Sequence, residues 1–204
     1  MVLIGAVLAS SLAWGQNYAG LSVGRSRVSG ACEAGGECAS RSTASKVFVG
    51  GAVEGPWQNW GMSGYELSYI RFGRGVNRYT APLPQQTADA IAGIVPLAYG
   101  DYQLRTQSAA LTAAVVARYA LMPNTSVSAK AGLAYVTASF TTNINGPRSD
   151  QETASHFRPY LGLGVEQQVM TGLRVTLGAD WTRYAVAASK GSLTMLGLGI
   201  QQDF

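Results

Sequence analysis

The chain closes on "GLGIQQDF", residues 197–204, and the reading of this stretch decides the fold. Leu196, Leu198, Ile200 and Phe204 share one parity, so an alternating strand presents an apolar face and then stops on an aromatic residue. In water, such a terminal phenylalanine needs a cover from residues downstream, and the sequence supplies none. A strand whose apolar face meets lipid needs no cover.

Composition agrees with that reading. Only 13% of the 204 residues are charged against 47% hydrophobic, well short of the roughly 25% charged share of soluble domains. The 25 glycines and 10 tyrosines favour strands and tight turns over helices. The length fits one domain. No nucleic-acid partner and no cofactor are expected.

The opening "MVLIGAVLASSLAWG", residues 1–15, is uncharged and apolar and ends on the small-x-small pattern Ala13-Trp14-Gly15. It reads as a secretory signal cleaved before Gln16, being shorter than the about 20 apolar residues of a spanning helix. No Lys or Arg precedes the apolar run, which points to a true start upstream of Met1. Residues 16–204 then form one domain.

Past Gln16, Gly, Pro, Asn and Ser signals separate segments of period-two alternation. Strands are expected near 17–25, 46–54, 61–71, 103–119, 126–138, 157–168, 172–184 and 193–204. Their connections alternate in length. "GPWQNW" (55–60), "LMPNTS" (121–126) and "VMTG" (169–172) are short, whereas 26–45, 72–102, 140–156 and 185–192 are mostly long. Short turns and both termini therefore share one end. An even strand number lets the sheet close without an edge, and the expected fold is an all-β, eight-stranded antiparallel transmembrane up-and-down β-barrel.

Alternation alone does not say which face is inside. In 126–138, Val127, Ala129, Ala131, Leu133 and Tyr135 oppose Ser126, Ser128, Lys130, Gly132 and Ala134. A soluble barrel would turn the first set inward. The polar sets decide the matter, because they are mainly Gly, Ser, Thr and Ala with a few charges of mixed sign: Lys46, Glu54, Glu66, Arg118, Lys130, Glu166, Arg174, Asp180 and Asp203. A cramped lumen holds small residues and paired charges, whereas a wet surface would carry many more long charged chains. Tyr69, Tyr119, Phe157, Trp181 and Phe204 sit near the ends of the apolar face, as interfacial aromatics do.

The terminal Phe204 on a final alternating strand resembles the segment by which outer-membrane barrels are presented to their assembly machinery. "SKVFVGGAVE" (45–54) and "RPYLGLGVE" (158–166) are similar to strands of the outer membrane protein A-like small-barrel family. A cysteine pair in the first outer loop, as in "ACEAGGECAS" (31–40), also occurs among its short members. The resemblance covers about residues 17–204 and implies an integral barrel of the Gram-negative outer membrane. No second, soluble domain follows the barrel here, so a peptidoglycan-binding role is not implied.

Cys32 and Cys38 follow an export signal, so a disulfide is the expected state in an oxidising compartment, with two free thiols or a metal pair as the rival reading. Two ligands without a nearby His are too few for a metal. His156, Glu152 and Ser155 bring a hydrolase triad to mind, as lipid A deacylase barrels use comparable residues. Three sequence neighbours in a loop do not hold triad geometry, and a solvated loop histidine is expected. The "LGLG" glycines Gly162, Gly164, Gly197 and Gly199 lack the following helix of a phosphate loop and fall on the lumen face. A short helix is expected at 85–95, between Pro84 and Pro96.

Three functions are weighed: a structural or surface-interaction barrel, a narrow porin-like channel and a lipid A-modifying enzyme, in that order. Eight strands enclose only enough space for their own side chains, and no catalytic constellation stands out. Arg25, Arg27, Arg41, Arg74, Arg78, Arg148, Arg158 and Lys190 cluster in or beside the outer loops. Of these, Arg25, Arg74, Arg78 and Arg158 are expected to face lipopolysaccharide, whose phosphates accept bidentate bonds from arginine.

Overall fold

The structure, a computed structural model, describes residues 17–29, 37–53, 64–82, 99–144, 149–186 and 189–204. It consists of β1 (Asn17–Val28), β2 (Glu37–Ala39), β3 (Arg41–Ala52), β4 (Gly64–Pro82), β5 (Tyr99–Met122), β6 (Thr125–Ile144), β7 (Ser149–Met170), β8 (Leu173–Val186) and β9 (Ser189–Asp203). All pairings are antiparallel, and β9 returns to β1 to close the barrel. Following paired residues once round from Tyr18 through Gly50, Glu66, Ala114, Gly132, Tyr160, Thr182 and Leu193 leads to Val28. The circuit ends ten residues further along β1 than it began, and such a stagger tilts the strands by about 40° to the barrel axis.

Across the middle of the barrel wall the side chains alternate. Leu21, Val23, Val47, Val49, Leu67, Leu111, Leu133, Leu163, Leu198 and Ile200 stand exposed on the outside, while Ser22, Lys46, Glu66, Ser128 and Gln201 are buried inside. An exposed apolar band of this kind is stable only against lipid. The start of β1 and Phe204 are tied by reciprocal backbone bonds, Asn17 N to Phe204 O at 3.1 Å and Phe204 N to Asn17 O at 2.9 Å. Phe204 is 65% exposed on the apolar face, as the sequence indicates.

The strands differ from expectation chiefly in length. β4 to β7 run 19, 24, 20 and 22 residues, against 12 to 15 for β1, β3, β8 and β9. Twenty-four extended residues reach about 80 Å, well past a membrane, so four neighbouring strands stand as a tall wall beyond a low one. The connections 140–156 and 185–192, expected to be mostly long, shrink to 145–148 and 187–188, because polar strand residues continue the ladder where a loop was expected. The three-residue β2 also extends the wall, pairing Glu37 with Arg78. A bulge at Gly73 (φ 78°) shifts the β4–β5 register. This backbone conformation is readily open only to glycine, and a Cβ would also meet Ser42 and the Thr43 carbonyl.

Candidate functional site

Two places in the barrel concentrate chemistry: the lumen and the outward-facing rim above the apolar band. The small lumen residues make the first possible. Gly20 and Gly50 leave room for the rings of Phe48 and Tyr18, and those rings in turn border the cations. Lys46 Nζ lies 3.0 Å from Glu66 Oε1 and 2.7 Å from Asp180 Oδ1. It also donates to Tyr160 Oη at 3.1 Å, and Tyr160 donates to Asp180. Lys130 Nζ meets Glu66 Oε2 at 2.5 Å. Nearer the termini, Arg118 Nε reaches Glu166 at 3.0 Å, and Arg174 bridges Glu166 at 3.4 Å and Asp203 at 2.7 Å. Tyr18 links the two groups: its hydroxyl donates to Glu66 at 3.4 Å, and Arg118 lies 5.1 Å from its ring centroid.

Four cations thus meet four carboxylates, and each is paired. Buried charges persist only on that condition, since an unpaired one costs several kcal/mol. Each member comes from the lumen set read from the sequence. Glu54, the remaining member, lies outside the described residues.

Toward the outer end the lumen changes character. Ser22 and Ser26 give way to Val28 on β1, Glu66 and Ser68 to Ile70 and Phe72 on β4, and Ser128 and Lys130 to Val136 and Phe140 on β6. With Tyr184, Leu193 and Met195 these form one buried apolar cluster. The cavity beside the ionic group, between Lys46, Ser128, Glu166 and Asp180, is about 30 Å³, the share of a single water. The sequence reading did not foresee the apolar cluster. The available signal was a run apolar on both parities, such as Tyr69-Ile70 or Met195-Leu196, in which the alternation fades.

The rim is unequal around the barrel. Arg25 and Arg27 on β1, Arg41 on β3, Arg71, Arg74 and Arg78 on β4, and Arg105 on β5 are all exposed with outward parity. β1 and β3 contain no Asp or Glu, and the only carboxylate of β4 is the lumen's Glu66. These residues make a basic crescent that begins directly above the apolar band at Arg25 and Arg71 and continues outward to Arg41, Arg78 and Arg105. On β6 and β7 the same level carries hydroxyls instead, with Thr137 bonded to Ser155 and Ser139 to Thr153, both at 2.9 Å.

Arg158 requires a correction. Expected to face outward with Arg25, Arg74 and Arg78, it pairs with the fully buried Ala134 and shares the lumen parity of Tyr160. The loop expected around His156 is also corrected, since Glu152, Ser155 and His156 all lie on β7. His156 is exposed on the lumen side, opposite Val136, whereas Ser155 points to the other face and bonds Thr137. Nucleophile and base on opposite faces of a strand do not meet. Cys32, the 85–95 helix, Arg148 and residues 1–15 lie outside the described residues. Cys38 lies on β2.

The family model for the OmpA-like transmembrane domain matches residues 14–199 of this chain. No curated protein matches it. Among solved structures, Neisserial surface protein A aligns at 14% identity over 92% of this chain and 97% of its own, with a TM-score of 0.51. The attachment invasion locus protein Ail of Yersinia pestis, in complex with the heparin analogue sucrose octasulfate, aligns at 12% identity over 92% and 98%, with a TM-score of 0.49. The N-terminal β-barrel domain of Pseudomonas aeruginosa OprF aligns at 14% over 94% and 100%, with a TM-score of 0.44.

Proposed function

We propose, for a chain that belongs to the family of OmpA-like transmembrane domains and is an integral barrel of the Gram-negative outer membrane, a structural and surface-anchoring role. Its basic crescent holds the phosphates of lipopolysaccharide in the outer leaflet. One observation carries the reading: seven outward arginines on four adjoining strands rise from the edge of the apolar band, β1, β3 and β4 offer them no outward carboxylate, and only Glu37 of β2 is set opposite one of them, Arg78. Each exposed contact alone contributes under about 1 kcal/mol, but arginine binds phosphate through two parallel bonds, and several act together. The paired charges and apolar cluster of the lumen favour this role over conduction.

Charge reversal at Arg25, Arg74 and Arg78 tests the proposal. Three lost contacts are expected to weaken lipopolysaccharide binding by the purified barrel about tenfold or more and to sensitise cells to detergent. Unchanged binding sinks the reading.

The same role requires delivery to the outer membrane, and we assign Phe204 to recognition by the barrel-assembly machinery. Its exposed ring and paired backbone leave it presented at the closing strand. Deleting Phe204 is expected to lower the amount of barrel reaching the outer membrane while changing the stability of assembled protein by under about 3 kcal/mol. Normal outer-membrane levels would count against this assignment.

A further inference from the structure

The tall and low walls part along one seam. The last β7–β8 pair is Tyr160 with Thr182. Pro159 has no N–H to continue the ladder, and Thr182 Oγ donates to the Pro159 carbonyl at 2.9 Å, closing the seam there. Beyond it β7 follows β6 and β8 follows β9, and a cleft of about 480 Å³ opens between them.

Three cations line this cleft, Arg158, Arg183 and Lys190, and no carboxylate is among its described lining residues. No salt bridge joins any of the three to a described carboxylate. Arg158 Nε is buried and has no hydrogen-bond partner among the described residues. A buried donor without an acceptor is costly, so a missing acceptor is the simplest completion. The surroundings are already fixed. Ser192 N donates to Ser29 Oγ at 2.9 Å, the two serine hydroxyls lie 2.8 Å apart, and Tyr184 Oη donates to the Ser29 carbonyl at 2.8 Å. Arg183 is held 5.4 Å from the Trp181 ring centroid.

We infer that this seam cleft is an anion site that takes a phosphoryl group carried on a sugar, with Arg158 as its deep donor and Lys190 and Arg183 at its mouth. Arginine offers phosphate a planar fork and lysine a compact charge, and the serine hydroxyls beside them suit a saccharide. The three cations of the site lie on β7, β8 and β9, and only Ser29, just past β1, comes from the crescent's side; none of the crescent's arginines lines it, so the inference does not depend on that reading. The sugar phosphate comes either from lipopolysaccharide in the same leaflet or from a soluble phosphorylated saccharide.

The test places the full barrel in zwitterionic phospholipid nanodiscs and follows the Arg158 Nε–H resonance by NMR. Inorganic pyrophosphate is expected to move that resonance, and Arg158→Gln and Lys190→Gln each to weaken pyrophosphate binding about tenfold or more. Rough lipopolysaccharide added to the disc moves the same resonance if the membrane supplies the ligand. A resonance that answers only to the soluble anion assigns the ligand to the aqueous phase. Crescent reversal at Arg25, Arg74 and Arg78 leaves the pyrophosphate shift intact, which separates failure of this site from failure of the anchoring role. Heat-modifiable gel migration reports folding, and Lys190→Gln carries the test alone if Arg158→Gln does not fold. A resonance unmoved by both anions, or folded variants that bind pyrophosphate as the unsubstituted barrel does, overturns the inference.

Discussion

The two halves of the lumen solve the same problem in opposite ways. Near the termini the barrel is filled by paired charges, and toward the outside by Ile70, Phe72, Leu193, Met195 and their neighbours. Parity is identical in both halves, so the alternation fixes which residues point inward but not what they are. The difference lies in what a deletion leaves behind. Removing an apolar side chain leaves a cavity, whereas removing one carboxylate strands cations in a narrow space with too little room for water to solvate them fully.

The largest expected effect follows from that contrast. Glu66 serves Lys46 at 3.0 Å and Lys130 at 2.5 Å, and it is 2% exposed. Glu66→Ala is therefore expected to cost about 3–5 kcal/mol in reversible unfolding from lipid or detergent. A loss under 1 kcal/mol would mean that water reaches the ionic half and would break the comparison. In the apolar half, Met195→Ala is expected to cost about 3 kcal/mol, the middle of the range for a buried aliphatic chain. Replacing Met195 with Leu, which conserves volume, should restore most of it.

Between the halves, Tyr160 donates to Asp180 and accepts from Lys46. Tyr160→Phe removes the hydroxyl and keeps the ring, so a loss of about 1–3 kcal/mol is expected, below that of Glu66→Ala because Lys46 and Asp180 retain each other at 2.7 Å. The smallest effect belongs to Arg174, which is 20% exposed: of its two partners Glu166 keeps Arg118, and Asp203, itself 17% exposed, keeps the amide of Gln201 at 2.7 Å. Arg174→Ala should cost about 1 kcal/mol or less. If it matched Glu66→Ala, the ionic lumen would be one indivisible unit rather than two linked groups.

Eight spanning strands and their inner and outer faces are legible in the sequence because lipid on one side and a crowded lumen on the other enforce a period of two. "SVSAKAGLAY" (126–135) shows this without ambiguity. Two stretches hide it for opposite reasons. "TTNINGPRSDQETASH" (141–156) carries no apolar parity and reads as loop although much of it is strand, and its described residues Gln151, Glu152, Thr153 and His156 are exposed on both faces. Around Ile70 and Met195 both faces are apolar, and the contrast is lost again. The lumen cations and carboxylates could be named from sequence, but their partners depend on the ten-residue stagger, which no local pattern encodes. Arg158 is a case where the signal existed. Its parity with Tyr160, Gly162 and Glu166 already placed it inside, and proximity to a loop obscured this.

The hydroxyl pairs Thr137–Ser155 and Ser139–Thr153 face outward at the level where the arginines stand on the other strands. Among the described residues the rim is therefore electrically uneven in the plane of the membrane, positive over β1 to β5 and again at Arg183 and Lys190, and free of outward charge only across β6 and β7. Two copies approaching flank to flank would repel through their crescents within about a Debye length, near 8 Å at physiological salt, but would meet no such barrier across β6 and β7. A molecule that looks cylindrical by its backbone thus carries a compass direction, and its lateral neighbours are sorted by which flank they encounter.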